Sequence, residues 1–278
     1  MTPGIYTSTN HLLCKGPNQS FGNHVLHLYA VYSFAQANGL PFFVTADSNL
    51  DEMFDLEAFK CKGQPSKCIF DEEYGGNLID YYHKDIRNIN KIKRFLSKKE
   101  IIDQAVYISG WFYNKLLLPD ISFFDRIKIK SDAASRLESK SYIFNADHLV
   151  LHYRGTDFKN HSIGFGDIRL QGEYYDKCID HFCMSHDLKK IVLIADDVDE
   201  ALNTISAMKR YDVIVERNDY ILDWLILFQC TNVICSNSSF CYTAGAYHKS
   251  VVYQPRNFLN RYIDSHYPYP IEIGRAHV

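Results

Sequence analysis

The sequence lacks the features that mark several large classes of protein. We expect no signal peptide, and no apolar run approaches the roughly 20 residues that a membrane-spanning helix needs. No strand-like run is followed by Gly-x-Gly-x-x-Gly, which argues against a nicotinamide-dependent Rossmann enzyme. None of the eight cysteines forms a Cys-x-x-Cys pair, so no zinc knuckle is expected. We therefore expect a cytoplasmic protein with reduced thiols and no transmembrane segment, and peripheral membrane association stays open.

A dominant charge of one sign is also missing. Lys and Arg number 30 against 33 Asp and Glu, for a formal net charge of −3. Nucleic acid is therefore not an expected partner, because nonspecific binding to it depends on a basic surface. Hydrophobic residues make up 46% of the 278 residues, enough for the full core of one large or two modest domains.

The order of apolar runs and helical patterns predicts an α/β protein. In the first half, a strand starting at Ile5, an amphipathic helix ending near Gly39 and a strand over 41–45 form a βαβ unit. Gly22 and Asn23 precede this helix, as in a phosphate-cradling turn, although an Asn cap explains them equally. In the second half, short apolar runs alternate strictly with helices, which predicts a Rossmann-like parallel sheet.

Three polar clusters follow apolar runs of the second half. They are His152 with Arg154 and Asp157, then Asp196 with Asp197, then Ser236, Asn237, Ser238 and Ser239. We expect the three clusters to face one crevice, because ligands of open α/β sheets sit outside the carboxyl ends of the strands.

The chemistry of these clusters suits a nucleotide diphosphate bound without a metal. Arg154 offers a planar fork for phosphate, and an Asp can accept the paired hydrogen bonds of a base edge such as that of guanine. The alternatives are structural: an Arg154–Asp157 ion pair, and helix capping by the polar turns. Of Asp196 and Asp197, we expect one to cap the next helix and the other to be free for a ligand.

At these residues the sequence resembles the α1,2-fucosyltransferase family, within the GDP-fucose-dependent fucosyltransferases. His152, Arg154 and Asp157 match its His-x-Arg-x-x-Asp pattern, Ala195-Asp196-Asp197 is similar to its Ser-Asp-Asp, and 237–240 matches its Asn-Ser-Ser-Phe. The resemblance implies a GT-B fold, with Rossmann-like domains over 1–146 and 147–278 and the active site between them. It further implies an inverting transferase that moves fucose from GDP-fucose to a glycan, needing no metal or other cofactor.

The same resemblance assigns roles to residues. Arg154 and Asp157 are the expected catalytic residues, with Arg154 on the β-phosphate and Asp157 either bracing that arginine or serving as the base. His24 and His161 are further candidates for the base. The expected donor-binding residues are His152, Arg154, Asp196, Asp197, Asn237, Ser238, Ser239 and Phe240, joined by Gly22 and Asn23 from the N-terminal domain, which is expected to bind the acceptor.

Two points stay open on the sequence alone. Arg154-Gly155-Thr156 departs from the Arg-Arg-Gly of the α1,2 family and is similar to α1,6-fucosyltransferases and nodulation-type enzymes, so either linkage is possible. The donor could carry another sugar or another nucleotide, and a non-catalytic nucleotide- or carbohydrate-binding module is the alternative from a different class.

Overall fold

The computed structural model describes residues 4–7, 21–37, 39–44, 49–61, 68–70, 105–108, 126–159, 167, 169–245, 251–255 and 271–275. The chain divides into two compact units, Met1–Lys130 and Ser131–Val278. Each unit holds its own sheet. The sequence predicts a domain boundary between residues 146 and 147. In the structure, residues 131–146 belong to the second unit. No helix in the described part of the chain is long and apolar enough to cross a membrane.

The first unit contains a parallel sheet of four strands. They are β1 (Gly4–Thr7), β2 (Phe42–Val44), β3 (Cys68–Phe70) and β4 (Ala105–Ile108), in the order β2-β1-β4-β3. Helix α1 (Phe21–Ala37) connects β1 to β2 and buries Val25, Leu28 and Tyr32, which recur at helical spacing. The predicted βαβ unit is therefore present.

The second unit contains a sheet of six strands. They are β5 (His148–Tyr153), β6 (Lys190–Ala195), β7 (Asp212–Glu216), β8 (Asn232–Ile234), β9 (Val251–Pro255) and β10 (Ile271–Arg275). The helices are α2 (Ser131–Ser135), α3 (Thr156–Lys159), α4 (Gly172–Cys183), α5 (Val198–Thr204), α6 (Tyr220–Gln229) and α7 (Ser239–Gly245). Short 3₁₀ helices cover Glu138–Ile143 and Ser206–Arg210. The predicted alternation of strands and helices from β5 to β9 is confirmed.

The strand order of this sheet creates a binding edge. The order is β10-β9-β8-β5-β6-β7, and all neighbours are parallel except β10, which runs antiparallel to β9. The chain moves outward from β5 to β7 and then returns to place β8 on the other side of β5. Ligands of open α/β sheets bind where the strand order reverses, at the carboxyl ends of the strands. Here that point lies between β5 and β8.

The core of the second unit forms around β5, whose six residues are all buried. Leu149, Leu151 and Tyr153 pack on one face against helix α4, including its fully buried Tyr175. Helix α4 begins at Gly172, where an added Cβ would lie 2.0 Å from the backbone oxygen of Thr204. This close approach brings the start of α4 against the end of α5.

Candidate active site

His152 joins strand β5 to the turn that follows β8. Its Nδ1 is 2.7 Å from the Oγ of Ser236, and its ring stacks on Phe240 at a centroid distance of 5.6 Å. The side chain is buried, and burial together with the nearby charge of Arg154 lowers the pKa of His152 to about 3. The imidazole is therefore neutral near pH 7 and acts as an uncharged link across the reversal of strand order.

Arg154 lies two residues further along the chain and is held by two carboxylates. Its Nε donates to Oδ1 of Asp157 at 2.8 Å, and its Nη2 donates to Oδ2 of the same residue at 3.0 Å. The Oδ2 of Asp196 lies 3.3 Å from Nε on the side of β6. Within the described residues, these contacts leave both N–H groups of Nη1 available to a ligand.

Asp196 is the centre of a second set of contacts. Its Oδ1 accepts from the backbone N–H of Gly155 at 2.6 Å, and its Oδ2 accepts from the hydroxyl of Thr156 at 2.7 Å. An added Cβ on Gly155 would lie 2.8 Å from the Tyr153 ring, so this tight turn needs glycine. Asp196 thus ties the end of β6 to the turn after β5.

Asp197 is the N-cap of helix α5, because its carboxylate accepts from the backbone N–H of Glu200 at 3.0 Å. The expectation that one aspartate caps this helix is therefore confirmed. We also expected the second aspartate to be free for a ligand. Asp196 is not free, since it already accepts hydrogen bonds from the Gly155–Thr156 turn. A ligand can meet it only as a member of that network.

The turn after β8 is buried and preorganised. Asn237 and Ser238 are 1% and 6% exposed, and Ser239 begins helix α7. The hydroxyl of Ser238 accepts from the backbone N–H of Phe240 at 3.3 Å. The Ser236 hydroxyl and the Phe240 ring of this turn are therefore held against His152.

A cavity of about 380 Å³ opens at the carboxyl ends of β6 and β7. That volume lies within the ordinary range for small-molecule sites. Its lining residues are Ala195, Asp196, Asp197, Val198, Asp199, Glu216, Arg217, Asn218 and Asp223. The cavity is therefore continuous with the Asp196 contacts, and most of its charged groups are carboxylates.

Sequence reasoning missed Asp223, the most perturbed acid of this cavity. It lies on α6, whose remaining residues from Ile221 to Leu227 are buried and apolar. The pKa of Asp223 is raised to about 6, mainly by burial and also by the charges of Asp219 and Glu216, while the hydrogen bond from Asn218 and the charge of Lys140 lower it. A single acid within an otherwise apolar helix was the available sequence signal.

The residues expected from the first unit lie on α1. The helix begins at Phe21, so Gly22 and Asn23 form its first turn rather than a loop before it, and Asn23 is not the cap residue. His24 is buried on the same helix, and His27 Nε2 lies 2.6 Å from the hydroxyl of Thr7 at the end of β1. Contact of this group with a donor stays a prediction. His161 lies outside the described residues.

No set of three or more His, Cys, Asp or Glu side chains is arranged to hold a metal ion within the residues that the structure describes. Cys178, Cys230, Cys235 and Cys241 are buried and form no disulfide. Burial raises the pKa of Cys178 to about 12, so this thiol is a structural group and not a nucleophile.

Comparison with known proteins gives a fold. No protein-family model matches the chain, and no curated protein matches it. Among solved structures, NodZ α1,6-fucosyltransferase soaked with GDP-fucose has a TM-score of 0.59 and 13% identity, covering 98% of this chain and 99% of that chain. NodZ from Bradyrhizobium gives a TM-score of 0.54 and 13% identity, with both chains fully covered. POFUT1 in complex with GDP-fucose gives 0.52 and 13%, covering 87% of this chain and 93% of that chain.

These similarities confirm the mixed α/β, GT-B-like fold. They span nearly the whole chain and show that its fold is similar to that of fucosyltransferase structures. They do not single out the α1,2 branch. A cleft between the two domains, and the assignment of each residue to donor or acceptor, stay predictions.

Proposed function

We propose that this chain is a glycosyltransferase that moves L-fucose from GDP-fucose to a hydroxyl group of a glycan. The observation that carries the proposal is the junction built by His152 and Arg154. His152 in β5 reaches the turn after β8 through Ser236, and Arg154, directly after β5, reaches the end of β6 through Asp196. That junction lies at the reversal of strand order, in a fold shared with structures that were solved with GDP-fucose.

Arg154 is the proposed anchor for the diphosphate. The bidentate contact with Asp157 fixes the plane of the guanidinium and directs Nη1 away from both carboxylates. Negative charge grows on the diphosphate as the bond to the sugar breaks, and a donor already in position stabilises that charge without reorganisation. The buried hydroxyls and amide of the Ser236–Ser239 turn are the proposed further donors.

The cavity beside Asp196 is the proposed site of the nucleotide base. A guanine edge presents the neighbouring N1–H and N2–H₂ donors, and a carboxylate accepts both. Asp223 is the acid of the cavity that fits this role best, because it is partly buried and one of its oxygens is already oriented by Asn218. This places the base at β6 and β7 and the diphosphate at β5 and β8.

The reaction is proposed as a single displacement with inversion. The acceptor oxygen forms a bond to the anomeric carbon, the bond from that carbon to the β-phosphate oxygen breaks, and GDP leaves with the electron pair. The proton of the acceptor hydroxyl goes to a base or to water. Both oxygens of Asp157 accept from Arg154, which favours bracing over proton transfer; His24 and His161 remain the further candidates.

Replacing Arg154 with Ala tests the proposal. We expect transfer to fall about 10²–10³-fold, the usual loss when one preorganised donor to a developing anion is removed. The matched control is Arg210→Ala, which removes an arginine that pairs with Asp180 on the surface. Labelled fucose transfer from GDP-fucose to glycans with free 2- or 6-hydroxyls is the measurement, and it also separates the α1,2 from the α1,6 linkage.

Three results would contradict the proposal. Near-normal transfer by a folded Arg154→Ala protein would remove the anchor. A thermal shift of the wild-type protein with UDP or CMP, and none with GDP, would replace the donor nucleotide, because a ligand raises the unfolding temperature by mass action. GDP binding without transfer or hydrolysis of GDP-fucose would make the chain a binding module.

A further inference from the structure

A chain of hydrogen bonds connects the segment before β5 to the acid of the cavity. Lys140 Nζ donates to Oε2 of Glu216 at 2.6 Å, and the hydroxyl of Tyr142 donates to Oε1 of the same carboxylate. The amide nitrogen of Asn218 then donates to Glu216 Oε2 at 3.1 Å and to Asp223 Oδ1 at 3.0 Å. Asn218 therefore bridges Glu216 and Asp223.

Glu216 is itself closed to a ligand. It ends strand β7, is 4% exposed, and accepts from three side-chain donors. Burial alone would raise the pKa of Glu216, but the hydrogen bonds from Lys140, Tyr142 and Asn218 together lower it. The residue is thus an ionised acceptor at neutral pH, although it lines the cavity.

An ionised Glu216 decides which end of the Asn218 amide faces it. A carboxylate only accepts, so the NH₂ end is favoured over the carbonyl end. The same NH₂ group supplies the donor to Asp223, so its two N–H groups are divided between two carboxylates. Reversal of the amide would place a carbonyl oxygen against both acids, which is unfavourable while they are ionised.

We propose that Glu216 is a positioning residue for base specificity, which acts through Asn218 to hold Asp223 as a hydrogen-bond acceptor. The cavity then selects a base edge with two adjacent N–H donors and rejects an edge that presents an acceptor, as adenine does. Specificity is set by alternating donors and acceptors that run from Lys140 and Tyr142 to the ligand. The inference rests on the proposed function, because it needs a nucleotide base in this cavity.

The test compares GDP and ADP binding to the full chain by titration calorimetry. Glu216→Gln keeps the shape but replaces one of the two carboxylates that hold the NH₂ end of Asn218, so only Asp223 still opposes reversal of the amide. We expect GDP affinity to fall about tenfold or more, the value of one charge-assisted hydrogen bond, and the ratio of GDP to ADP affinity to narrow by a similar factor. Glu173→Gln on the exposed face of α4 is the matched control and should leave both affinities unchanged.

A double-mutant cycle distinguishes an effect of Glu216 transmitted through Asn218 from a general disturbance of the fold. Asn218→Ala removes the connecting amide, so adding Glu216→Gln to it should change GDP affinity less than about twofold. Circular dichroism melting identifies folded variants. If Glu216→Gln alone does not fold, the ratio of GDP to ADP affinity is measured in Asn218→Ala instead. That variant is expected to fold, because the Asn218 side chain is only partly buried.

The outcomes are distinguishable from failure of the proposed function. Wild-type protein that binds no GDP overturns that function and this inference together. Wild-type protein that binds GDP overturns the inference alone if a folded Glu216→Gln keeps its affinity and its GDP to ADP ratio. Fully additive losses in the double variant, or an unchanged ratio in Asn218→Ala, also overturn it.

Discussion

Replacing Asp223 with Asn should stabilise the protein in a way that depends on pH. The wild-type carboxylate is ionised and partly buried at neutral pH, and its surroundings raise its pKa from 3.8 to about 6. Asn has the same shape, carries no charge, and its carbonyl oxygen still accepts from Asn218. The substitution therefore removes the penalty of burying a charge and keeps the hydrogen bond.

The size of the effect follows from the shift. A pKa raised by about two units corresponds to about 3 kcal/mol, at about 1.4 kcal/mol for each unit. Because the folded pKa of Asp223 is raised, its contribution to stability is fully present below the unfolded value and is lost as pH rises through about 6. The stability advantage of Asn over Asp should thus grow by about 2–2.5 kcal/mol between pH 4 and pH 8, nearly all of it before pH 7.

Urea unfolding of both proteins across this pH range is the measurement. Asp187→Asn, on an exposed surface, is the control and should shift stability by less than about 0.5 kcal/mol at every pH. An advantage of Asp223→Asn that stays constant with pH would refute the reasoning. The stabilised variant should also bind GDP more weakly, because it lacks the carboxylate proposed to accept hydrogen bonds from guanine. Such a loss of function is the usual cost of stabilising a binding site.

Two further predictions concern the scaffold, and urea or thermal unfolding checks both. Asp196→Ala should lower the free energy of unfolding by about 2–3 kcal/mol, because two short hydrogen bonds to the Gly155–Thr156 turn are lost. Asp197→Ala should lower it by only about 1 kcal/mol, because it removes a helix cap. Equal losses in the two variants would contradict these separate roles. Gly172→Ala should lower it by about 1–3 kcal/mol or more, because its Cβ would overlap the backbone of α5, and an unchanged melting temperature would show that α4 and α5 do not meet there.

The sheet of the second unit was predictable because its strands are short apolar runs bounded by polar turns. His148–Tyr153 and Lys190–Ala195 each carry such a run, and parallel pairing brings their polar ends together without further information. That is why His152, Arg154 and Asp196 could be assigned to one edge in advance. No strand was predicted after β9, although Ile271–Arg275 pairs with it in antiparallel orientation.

Contacts between distant positions could not be predicted in the same way. Two of the three partners of Glu216, Tyr142 and Lys140, are 74 and 76 positions away, and no local pattern connects them to it. Asp223 was hidden by its neighbours, since a helix with the sequence Tyr-Ile-Leu-Asp-Trp-Leu-Ile is typical of core. The separate roles of Asp196 and Asp197 also depend on the three-dimensional structure, because on sequence grounds either aspartate could have capped α5.

The attachment of Glu138–Ile143 to Glu216 has a practical consequence for dividing the protein into fragments. A C-terminal fragment cut at residue 147, where the sequence suggested a boundary, would lose Lys140 and Tyr142, two of the three side-chain donors that Glu216 has among the described residues. A fragment starting at Ser131 keeps both partners, together with the contact of Arg136 with Asp219. Residues 131–146 therefore support the cavity through Glu216, and expression trials of the isolated unit should begin at or before Ser131.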